Sequence, residues 1–419
     1  MDARPLALVI HRYGKEIVGG SEALCRSVAE MLIPHQPVEV LTTCARDYMT
    51  WRNEYQAGDA LLNGVRVRRF PVDFERDQRF NDLLRTMLGG LPLTAYNQHK
   101  ALLRAGIGRS SYTQQMDFLR LQGPYSTPLW DFLGTHHDDY AQIIFFTYLY
   151  ATTVFGSQLV PAAKTVLVPT AHDEAPIFLP VFREMFARFP AYIFLTPEER
   201  QFVEGMFPVA GARKATIGMP VALTTSPDPA RFQARYGVEG PFLLYAGRID
   251  PTKGCDRLLA FYRAARRDLP LPLILIGNRV MDLPRDPDIR YLGRLPEQDK
   301  LDAMAAATVL VNPSPFESFS IVILEAMLSG TPVLVNGRCE VLKGHVERSR
   351  GGLYYDTGYE FVEAMRLLLA DEALRMRMAA SGAAYVRKNY ARDTVSTAYR
   401  NFLEGQGGSL ESIGNKRAM

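Results

Sequence analysis

The chain alternates short apolar runs with longer stretches of helical periodicity, and this alternation restricts its fold more than any other feature. The first run, Leu6–Ile10, leads through a glycine loop into a helical pattern that begins near Ser21. Later runs in the first half are Val38–Thr43, Val65–Phe70, Ile143–Thr147, Thr165–Pro169 and Tyr192–Thr196. A long helical pattern, Ala175–Phe189, separates the last two runs. Strands joined by helices in this way predict an α/β fold with a parallel sheet covered on both faces.

A second series of the same kind follows a weakly patterned connection at residues 218–241. Its segments are Phe242–Ala246, Cys255–Asp268, Leu273–Ile276, Arg290–Leu292, Glu297–Ala307, Val309–Val311 and Pro332–Val335. Two doubly wound, Rossmann-like series within 419 residues predict two domains, residues 1–220 and 221–393. Because ligands of such sheets bind at the carboxyl ends of the strands, we expect the site in the cleft between the two domains.

Residues 73–139 interrupt the rhythm of the first domain and are interpreted as an insertion at its rim. Two helical patterns, Asn81–Met87 and Thr94–Ala105, are separated by glycine and proline positions. Basic residues surround the apolar sequence LLRTMLGGLPL, a combination that suits contact with an anionic membrane or a lipid-linked acceptor. The alternative is a lid packed on the first domain, and liposome flotation distinguishes the two.

Charge and cysteine content exclude several classes of protein. Lysine and arginine number 48 against 45 aspartates and glutamates, and a net charge of +3 argues against nucleic acid as a partner. The four cysteines show no CxxC spacing, so free buried thiols are expected, which fits a reducing cytosol. No signal peptide is recognisable, and no apolar stretch reaches the roughly 18 residues that span a bilayer. We therefore expect a cytoplasmic protein that is soluble, or at most peripheral at the inner face of the membrane.

The sequence YAGRIDPTKGCDRLLAF, residues 245–261, places two cations after a predicted strand. Arg248 and Lys253 lie in the loop, and Gly254 permits a tight approach before the next helix begins near Asp256. A strand-end loop with two cations and a helix N-terminus suits a diphosphate. The alternative is a pair of solvated surface cations.

The sequence PFESFSIVILEAMLSGTPVLV, residues 315–335, holds two glutamates with seven residues between them. Two prolines delay the helix, so Glu317 is predicted in a loop, and the helix is predicted to start near Ser318 or Phe319. Glu325 would then lie about two turns into an otherwise apolar helix, where an unpaired carboxylate is costly. It either accepts hydrogen bonds from vicinal hydroxyls of a ligand or pairs with a basic residue for structural reasons.

Two weaker patterns lie in the first domain. Gly19 and Gly20 would let the backbone approach a ligand, although the sequence lacks GxGxxG and a plain turn is the alternative. His172, in VPTAHDEAP, follows a predicted strand and either contacts a reacting centre or caps the next helix. The sequence HHDD at residues 136–139 is interpreted as an exposed loop, and no metal site is predicted.

Taken together, GGSEALCRSVAEML, AGRIDPTKG and PFESFSIVILEAMLSGTPVLV resemble three elements of one enzyme class. They are similar to the glycine loop, the basic phosphate loop and the E-x7-E element of retaining glycosyltransferases of the GT-B fold, closest to glycosyltransferase family 4. The resemblance spans both halves in the family's order but does not cover residues 73–139 well. It implies two Rossmann-like domains facing each other across a cleft, with a C-terminal helix within residues 394–419 that returns to the first domain.

The resemblance assigns the nucleotide part of a donor to the second domain. Arg248 and Lys253 would neutralise the diphosphate of a nucleotide-sugar, and Glu325 would bind the ribose hydroxyls. The two cations would replace the divalent metal of other transferases, so we expect neither a metal nor a cofactor. No carboxylate is a clear nucleophile, so we expect attack on the same face of the sugar, with a diphosphate oxygen taking the acceptor proton.

The sugar part of the donor is assigned in the same way. Glu317 would bind sugar hydroxyls beside the backbone amides of Phe319 and Ser320. Gly20 would border the donor phosphates and the acceptor, and His172 would contact the sugar near the reacting carbon. Ser320 stands where the family usually has glycine, and this departure leaves the identity of the sugar open.

These expectations describe a retaining, metal-independent hexosyltransferase. It would move a sugar to a glycan, lipid-linked or small-molecule acceptor in bacterial polysaccharide or glycoconjugate biosynthesis. A non-catalytic nucleotide-sugar binding protein and a GT-B epimerase are the alternatives. The sequence does not specify the base (UDP or GDP), the sugar, the acceptor, the linkage or the oligomeric state.

Overall fold

The computed structural model describes residues 4–17, 19–91, 100–266 and 271–405. The chain divides into two compact units. The first unit comprises the chain up to Met219 and resumes at Ser396, and the second unit comprises Pro220–Val395. Each unit is built on one sheet in which neighbouring strands are parallel, with a single antiparallel pair in the first. The predicted α/β class is therefore confirmed.

The sheet of the first unit has eight strands in the order β3-β4-β2-β1-β5-β6-β7-β8. They are β1 (Leu6–Val9), β2 (Val38–Thr43), β3 (Gly58–Leu62), β4 (Val65–Phe70), β5 (Gln142–Phe146), β6 (Thr165–Val168), β7 (Ala191–Phe194) and β8 (Arg213–Thr216). The strands β1, β2, β6 and β7 are buried along their whole length, which explains their continuous apolar runs. The order reverses between β1 and β5, so the loops that leave their carboxyl ends diverge and open a crevice there.

The helices of the first unit include four in the insertion rather than the two predicted. They are α1 (Gly20–Leu32), α2 (Arg79–Met87), α3 (Lys100–Gly108), α4 (Tyr112–Gln122), α5 (Thr127–His136), α6 (Ala151–Val154), α7 (Pro180–Arg188) and α8 (Pro197–Met206). The helices α4 and α5 begin at Ser111 and Ser126, whose side chains accept backbone hydrogen bonds as N-caps. Part of the predicted helix Thr94–Ala105 lies outside the described residues, and α3 begins at Lys100.

Two other predictions for the first unit were wrong. The pattern Ala175–Phe189 is not one helix, because the residue before Pro180 is extended and separates a 3-10 turn from α7. The strand β3 was not predicted, although the dipeptide Asn63-Gly64 that joins it to β4 has both residues at positive φ, as in a tight hairpin turn. A sequence reading that used this dipeptide would have found the antiparallel edge strand.

The second unit has a six-stranded parallel sheet in the order β11-β10-β9-β12-β13-β14. Its strands are β9 (Leu243–Ala246), β10 (Leu273–Ile276), β11 (Ile289–Tyr291), β12 (Val309–Asn312), β13 (Val333–Asn336) and β14 (Gly352–Tyr355). Its helices are α9 (Pro229–Tyr236), α10 (Cys255–Ala265), α11 (Glu297–Ala306), α12 (Ile321–Leu328), α13 (Glu340–Ser349), α14 (Gly358–Ala370) and α15 (Glu372–Tyr390). Here the order reverses between β9 and β12, and the loops after these two strands border the crevice.

The last described helix, α16 (Arg392–Leu403), begins in the second unit and ends in the first. Within the first unit, the Gln142 amide donates to the Leu403 carbonyl at 2.9 Å, and the Arg213 guanidinium lies 4.4 Å from the Phe402 ring. The remainder of the segment predicted to return, residues 406–419, lies outside the described residues. Across the described ranges, the helices are too short or too polar to cross a bilayer.

Candidate functional site

The loop after β9 is held in a fixed conformation beside the loop after β12. The Asp250 carboxylate accepts from the amide and hydroxyl of Thr252 at 2.7 and 2.8 Å, and it lies 2.8 Å from the Arg248 guanidinium. Gly254 has φ +74°, and a Cβ there would lie 2.4 Å from the Pro313 carbonyl oxygen. Only glycine permits this approach, so the sequence TKG sets the spacing of the two loops.

Lys253 and Glu317 meet across the crevice between β9 and β12. The Lys253 ammonium lies 2.8 Å from a Glu317 carboxylate oxygen. The lysine side chain is 35% exposed and the glutamate side chain 17% exposed, so water reaches the pair in part. The structure thus brings together two residues that the sequence assigned to neighbouring parts of one ligand, 64 positions apart in the chain.

The loop that carries Glu317 is anchored by two buried asparagines that the sequence analysis missed. Asn312 donates to the Ser320 hydroxyl at 3.0 Å and accepts from the Ser314 amide at 3.0 Å. Asn336 donates to the carbonyl oxygens of residues 313 and 314. The strands β12 and β13 share the sequence VLVN, and each ends in one of these asparagines. The sequence signal for this anchor was a polar residue at the end of each of two apolar strands.

Ser320 has φ 63° and ψ 69°, a left-handed conformation that costs free energy for any residue except glycine. This conformation explains why glycine is usual at the position, and Asn312 holds the Ser320 hydroxyl in place. The predicted helix start at Ser318 or Phe319 was wrong, because α12 begins after Ser320, at Ile321. Glu325 is therefore the fifth residue of α12, little more than one turn into it.

Glu325 is paired with a residue that the sequence did not indicate, Lys300 of α11. The Lys300 ammonium lies 3.0 and 2.9 Å from the two Glu325 oxygens and 2.9 Å from Glu297. Burial raises the pKa of Glu325, and attraction to Lys300 offsets this only in part. Burial opposes the charge of Lys300, but the two carboxylates raise its pKa overall. The structural alternative for Glu325, pairing with a base, is thus present, and it leaves room for a hydroxyl ligand because carboxylates accept several hydrogen bonds.

Phe319 is fixed from the other side by His345, a fully buried residue of α13. One ring nitrogen, Nε2, donates to the Phe319 carbonyl at 3.0 Å, and Nδ1 lies 3.2 Å from the Tyr385 hydroxyl. Because a carbonyl only accepts, the proton is on Nε2 and Nδ1 accepts from the tyrosine. Burial lowers the pKa of His345 to about 3, so the ring is neutral at neutral pH.

We expect His345 to make stability depend on pH. A folded-state pKa of about 3 lies below the ordinary value of 6.5, so the stabilisation is complete above pH 6.5 and is lost as the pH falls towards 3. Between pH 7 and pH 5, His345→Gln should remove about 2 kcal/mol of the acid-induced loss in unfolding free energy. Urea denaturation at both pH values measures it, with the exposed His35→Gln as control. An acid response identical in the wild type and His345→Gln would contradict the assignment.

In the first unit, the loop after β1 carries a buried ionic cluster. Glu22 accepts from the Arg12 guanidinium at 2.5 Å and from the Ser21 hydroxyl at 2.8 Å, and it lies 3.1 Å from His11 Nε2. A Cβ on Gly19 would lie 2.2 Å from a Glu22 carboxylate oxygen. Gly19 therefore makes room for this carboxylate.

Gly20 is the first residue of α1, and a Cβ there would meet no atom of the described chain within 4 Å. The space beside the start of this helix is therefore open. The sequence analysis assigned the glycines at this point but missed His11, Arg12 and Glu22. For His11 and Arg12 the signal was a position soon after a buried strand, and for Glu22 it was a carboxylate in the first turn of α1.

His172 lies in the loop after β6. Its Nε2 is 3.4 Å from the Glu174 carboxylate, which also accepts from the Tyr148 hydroxyl at 2.7 Å. The capping alternative was wrong, because the N-cap of the following 3-10 turn is Glu174. The neighbouring Asp173 bonds Lys100 and Arg104 of α3, so part of the insertion is tied to this loop.

The remaining titratable groups offer no metal centre. The sequence HHDD, predicted as an exposed loop, forms the end of α5 and a 3-10 turn. In the described parts of the chain, no three His, Cys, Asp or Glu side chains are grouped to hold a metal ion. All four cysteines are buried and free, as predicted; they are Cys25, Cys44, Cys255 and Cys339.

The chain is similar to known proteins in part of its sequence and in its fold. Residues 228–385 match the family described as Glycosyl transferases group 1. A D-inositol 3-phosphate glycosyltransferase from a Nocardioides species is 27% identical over 219 residues, which make up 44% of this chain and 47% of that protein. The chain spans about half the length of the curated relatives it matches.

Two solved structures resemble 96% of the chain and are covered in full. They are sucrose-phosphate synthase from Thermosynechococcus elongatus, with a TM-score of 0.66, and HepE from Anabaena in complex with UDP and glucose, with a TM-score of 0.68. The TM-scores establish a shared fold, and each protein is 17% identical to this chain.

Proposed function

We propose that this chain, which has the GT-B fold and a Glycosyl transferases group 1 segment, is a retaining glycosyltransferase that uses a nucleotide-sugar donor. The observation that carries the proposal is the contact of Lys253 with Glu317 at 2.8 Å, at the point where the strand order of the second sheet reverses. That point is where open α/β sheets bind nucleotides. A cation suited to a diphosphate and a carboxylate suited to sugar hydroxyls are adjacent there.

The remaining assignments follow from this pair. Arg248, on the same loop as Lys253, would share the charge of the leaving diphosphate, and Glu325 would bind the ribose hydroxyls. Phe319 and Ser320 would present their backbone amides to the donor beside Glu317. In the transition state negative charge grows on the diphosphate, so fixed cations lower the barrier more than they tighten ground-state binding.

We further propose that these cations, rather than a divalent metal, neutralise the leaving group, and that the acceptor attacks the same face of the sugar that the diphosphate leaves. A diphosphate oxygen would take the acceptor proton. His172 would contact the donor sugar, and the backbone at Gly20 would border the donor phosphates. The resemblance to family 4 sequences supports retention of configuration.

The donor class is supported by the structure of HepE in complex with UDP and glucose. The curated relative named for D-inositol 3-phosphate supports a small or glycan acceptor, and bacterial glycoconjugate biosynthesis is the setting we propose. For the insertion we favour a lid packed on the first unit, because Phe80, Leu84 and Met87 of α2 are buried. Liposome flotation tests the other possibility, which is membrane contact and a lipid-linked acceptor.

A thermal-shift screen of nucleoside diphosphates and their sugars tests the proposal, because a ligand of the folded state raises the melting temperature. We expect one nucleotide family to raise it, and we expect slow hydrolysis of the matching nucleotide-sugar without acceptor. Glu317→Ala should abolish that hydrolysis, whereas the exposed control Glu347→Ala should not. Binding without hydrolysis or transfer would favour a non-catalytic binding protein, and release of an epimerised sugar would favour an epimerase.

A further inference from the structure

A compact cluster of rings and guanidinium groups lies in the first unit. The arginine–aromatic cluster consists of His11, Arg12, Tyr48, Trp51, Arg76 and Tyr150. The guanidinium groups of Arg12 and Arg76 lie 5.5 and 5.4 Å from the centroid of the same Tyr48 ring. The Arg76 guanidinium also lies 5.5 Å from Trp51, and the His11 ring lies 4.0 Å from Tyr150. Two cations thus lie against the same ring; Arg12 is also paired with Glu22, whereas Arg76 lies against a second ring, that of Trp51.

The positive charge of Arg76 is not matched by an ion pair. Among the described residues no carboxylate oxygen lies within 4 Å of it, and its one side-chain hydrogen bond goes from Nη1 to the Tyr48 carbonyl. The nearby acids have other partners, since Glu22 accepts from Arg12 and Asp47 accepts from two backbone amides. Burial lowers the pKa of Arg76, and Arg12 lowers it further. Partly buried cations without a partner are costly, and anions that approach them are stabilised.

Two polar atoms in the cluster are buried without a hydrogen-bond partner among the described residues, His11 Nδ1 and Arg76 Nε. His11 Nε2 faces the Glu22 carboxylate at 3.1 Å, so its proton is on Nε2 and Nδ1 carries a lone pair. Within the described chain, Nδ1 is thus an unused acceptor and Nε an unused donor, and both atoms are enclosed by the cluster. Unsatisfied buried groups of this kind are rare in native proteins and call for a ligand or another explanation.

The cluster also lies at the reversal point of its sheet. His11 and Arg12 follow β1, and Tyr150 follows β5, the two strands between which the order reverses. The contact between His11 and Tyr150 spans that point, as Lys253 and Glu317 do in the other sheet. Open α/β sheets bind ligands at such a reversal point, so the cluster stands where a ligand of the first unit is expected.

We propose that the arginine–aromatic cluster binds an acidic sugar or polyol, a molecule with hydroxyl groups and a phosphate or carboxylate, and that Arg76 holds its anionic group. This inference rests on the proposed function, in which that molecule is the sugar acceptor. The rings would pack on the carbon face of the ligand, and His11 Nδ1 would accept from one hydroxyl.

The test uses three probes of one ring size: glucose 6-phosphate, glucuronate and glucose, at equal ionic strength. We expect one or both of the acidic probes to raise the melting temperature of the full chain, and glucose to leave it unchanged. Arg76→Gln should raise the half-saturating concentration of the acidic probe at least tenfold. Arg109→Gln, an exposed arginine of the same insertion, should leave it unchanged. The probe that acts distinguishes a phosphate from a carboxylate.

A melting-temperature shift by all three probes alike, or by none, would overturn the inference, as would a shift that survives Arg76→Gln. If Arg76→Gln does not fold, Arg76→Lys replaces it in the test. The lysine variant keeps the charge, so it should retain part of the binding of the acidic probe. The nucleotide screen is run on the same variants. Arg76→Gln should leave nucleotide binding intact, so loss of the acidic-sugar site and failure of the donor site give different results.

Discussion

Lys253→Ala is expected to lower kcat/KM for glycosyl transfer by about 10²–10³-fold, the loss typical of removing one preorganised group that stabilises developing negative charge. Lys253 is the only cation in contact with Glu317 in the described chain. The change thus removes charge from the leaving diphosphate and also frees the carboxylate that should orient the sugar. We therefore expect kcat to fall more than KM rises.

The measurement is initial rates with the nucleotide-sugar and acceptor found by screening, for Lys253→Ala and Arg248→Ala. Lys388→Ala is the matched control, because this lysine is exposed on α15. Arg248 should have the smaller effect, since its partner Asp250 is not assigned to the donor, whereas removing Lys253 also frees Glu317. Turnover close to wild type in both variants would refute the assignment of the diphosphate to this loop.

Lys300→Met is expected to lower the free energy of unfolding by about 3–5 kcal/mol, because it leaves the Glu325 carboxylate buried without its partner. The Glu325 side chain is 15% exposed, and Lys300 bonds both of its oxygens. The double variant Lys300→Met with Glu325→Leu should recover much of the loss, since a buried ion pair replaced by apolar side chains is often neutral.

Urea denaturation of the two single variants and the double variant forms the thermodynamic cycle. Lys343→Met, whose ammonium is 4.0 Å from Glu347 at a half-exposed position, serves as the control and should change stability little. If Lys300→Met is no more destabilising than this control, Glu325 does not depend on the ion pair. The double variant should recover stability but still lose affinity for the nucleotide. This difference separates the structural role of Glu325 from ribose binding.

The sheets and the loops between them could be predicted because their signals are local. Apolar runs such as Leu273–Ile276 marked strands to the residue, and TKG marked a loop whose conformation only glycine permits. The alternation of strand and helix then fixed which residues lie at the carboxyl ends. Arg248, Lys253 and Glu317 were therefore assigned to one edge of one sheet before their contacts were known.

The partners of these residues could not be predicted in the same way, because they depend on packing. Lys300 is 25 residues from Glu325 and lies on another helix, and no local pattern links them. His345 reaches back to the Phe319 carbonyl over 26 residues. Ser320 was noticed as an unusual residue, but its left-handed backbone is a property of the folded loop. What the sequence lacked was the set of contacts that orient the site.

The course of α16 also has a consequence for how the chain is made. The first unit includes Tyr399, which is fully buried, and this residue follows the whole of the second unit in the chain. A ribosome that adds about 5–20 residues per second needs roughly ten seconds or more to synthesise the intervening stretch. During that interval the first sheet is present without the helix that ends on it. The unit that begins synthesis first is therefore the one completed last, and the second unit can fold before it.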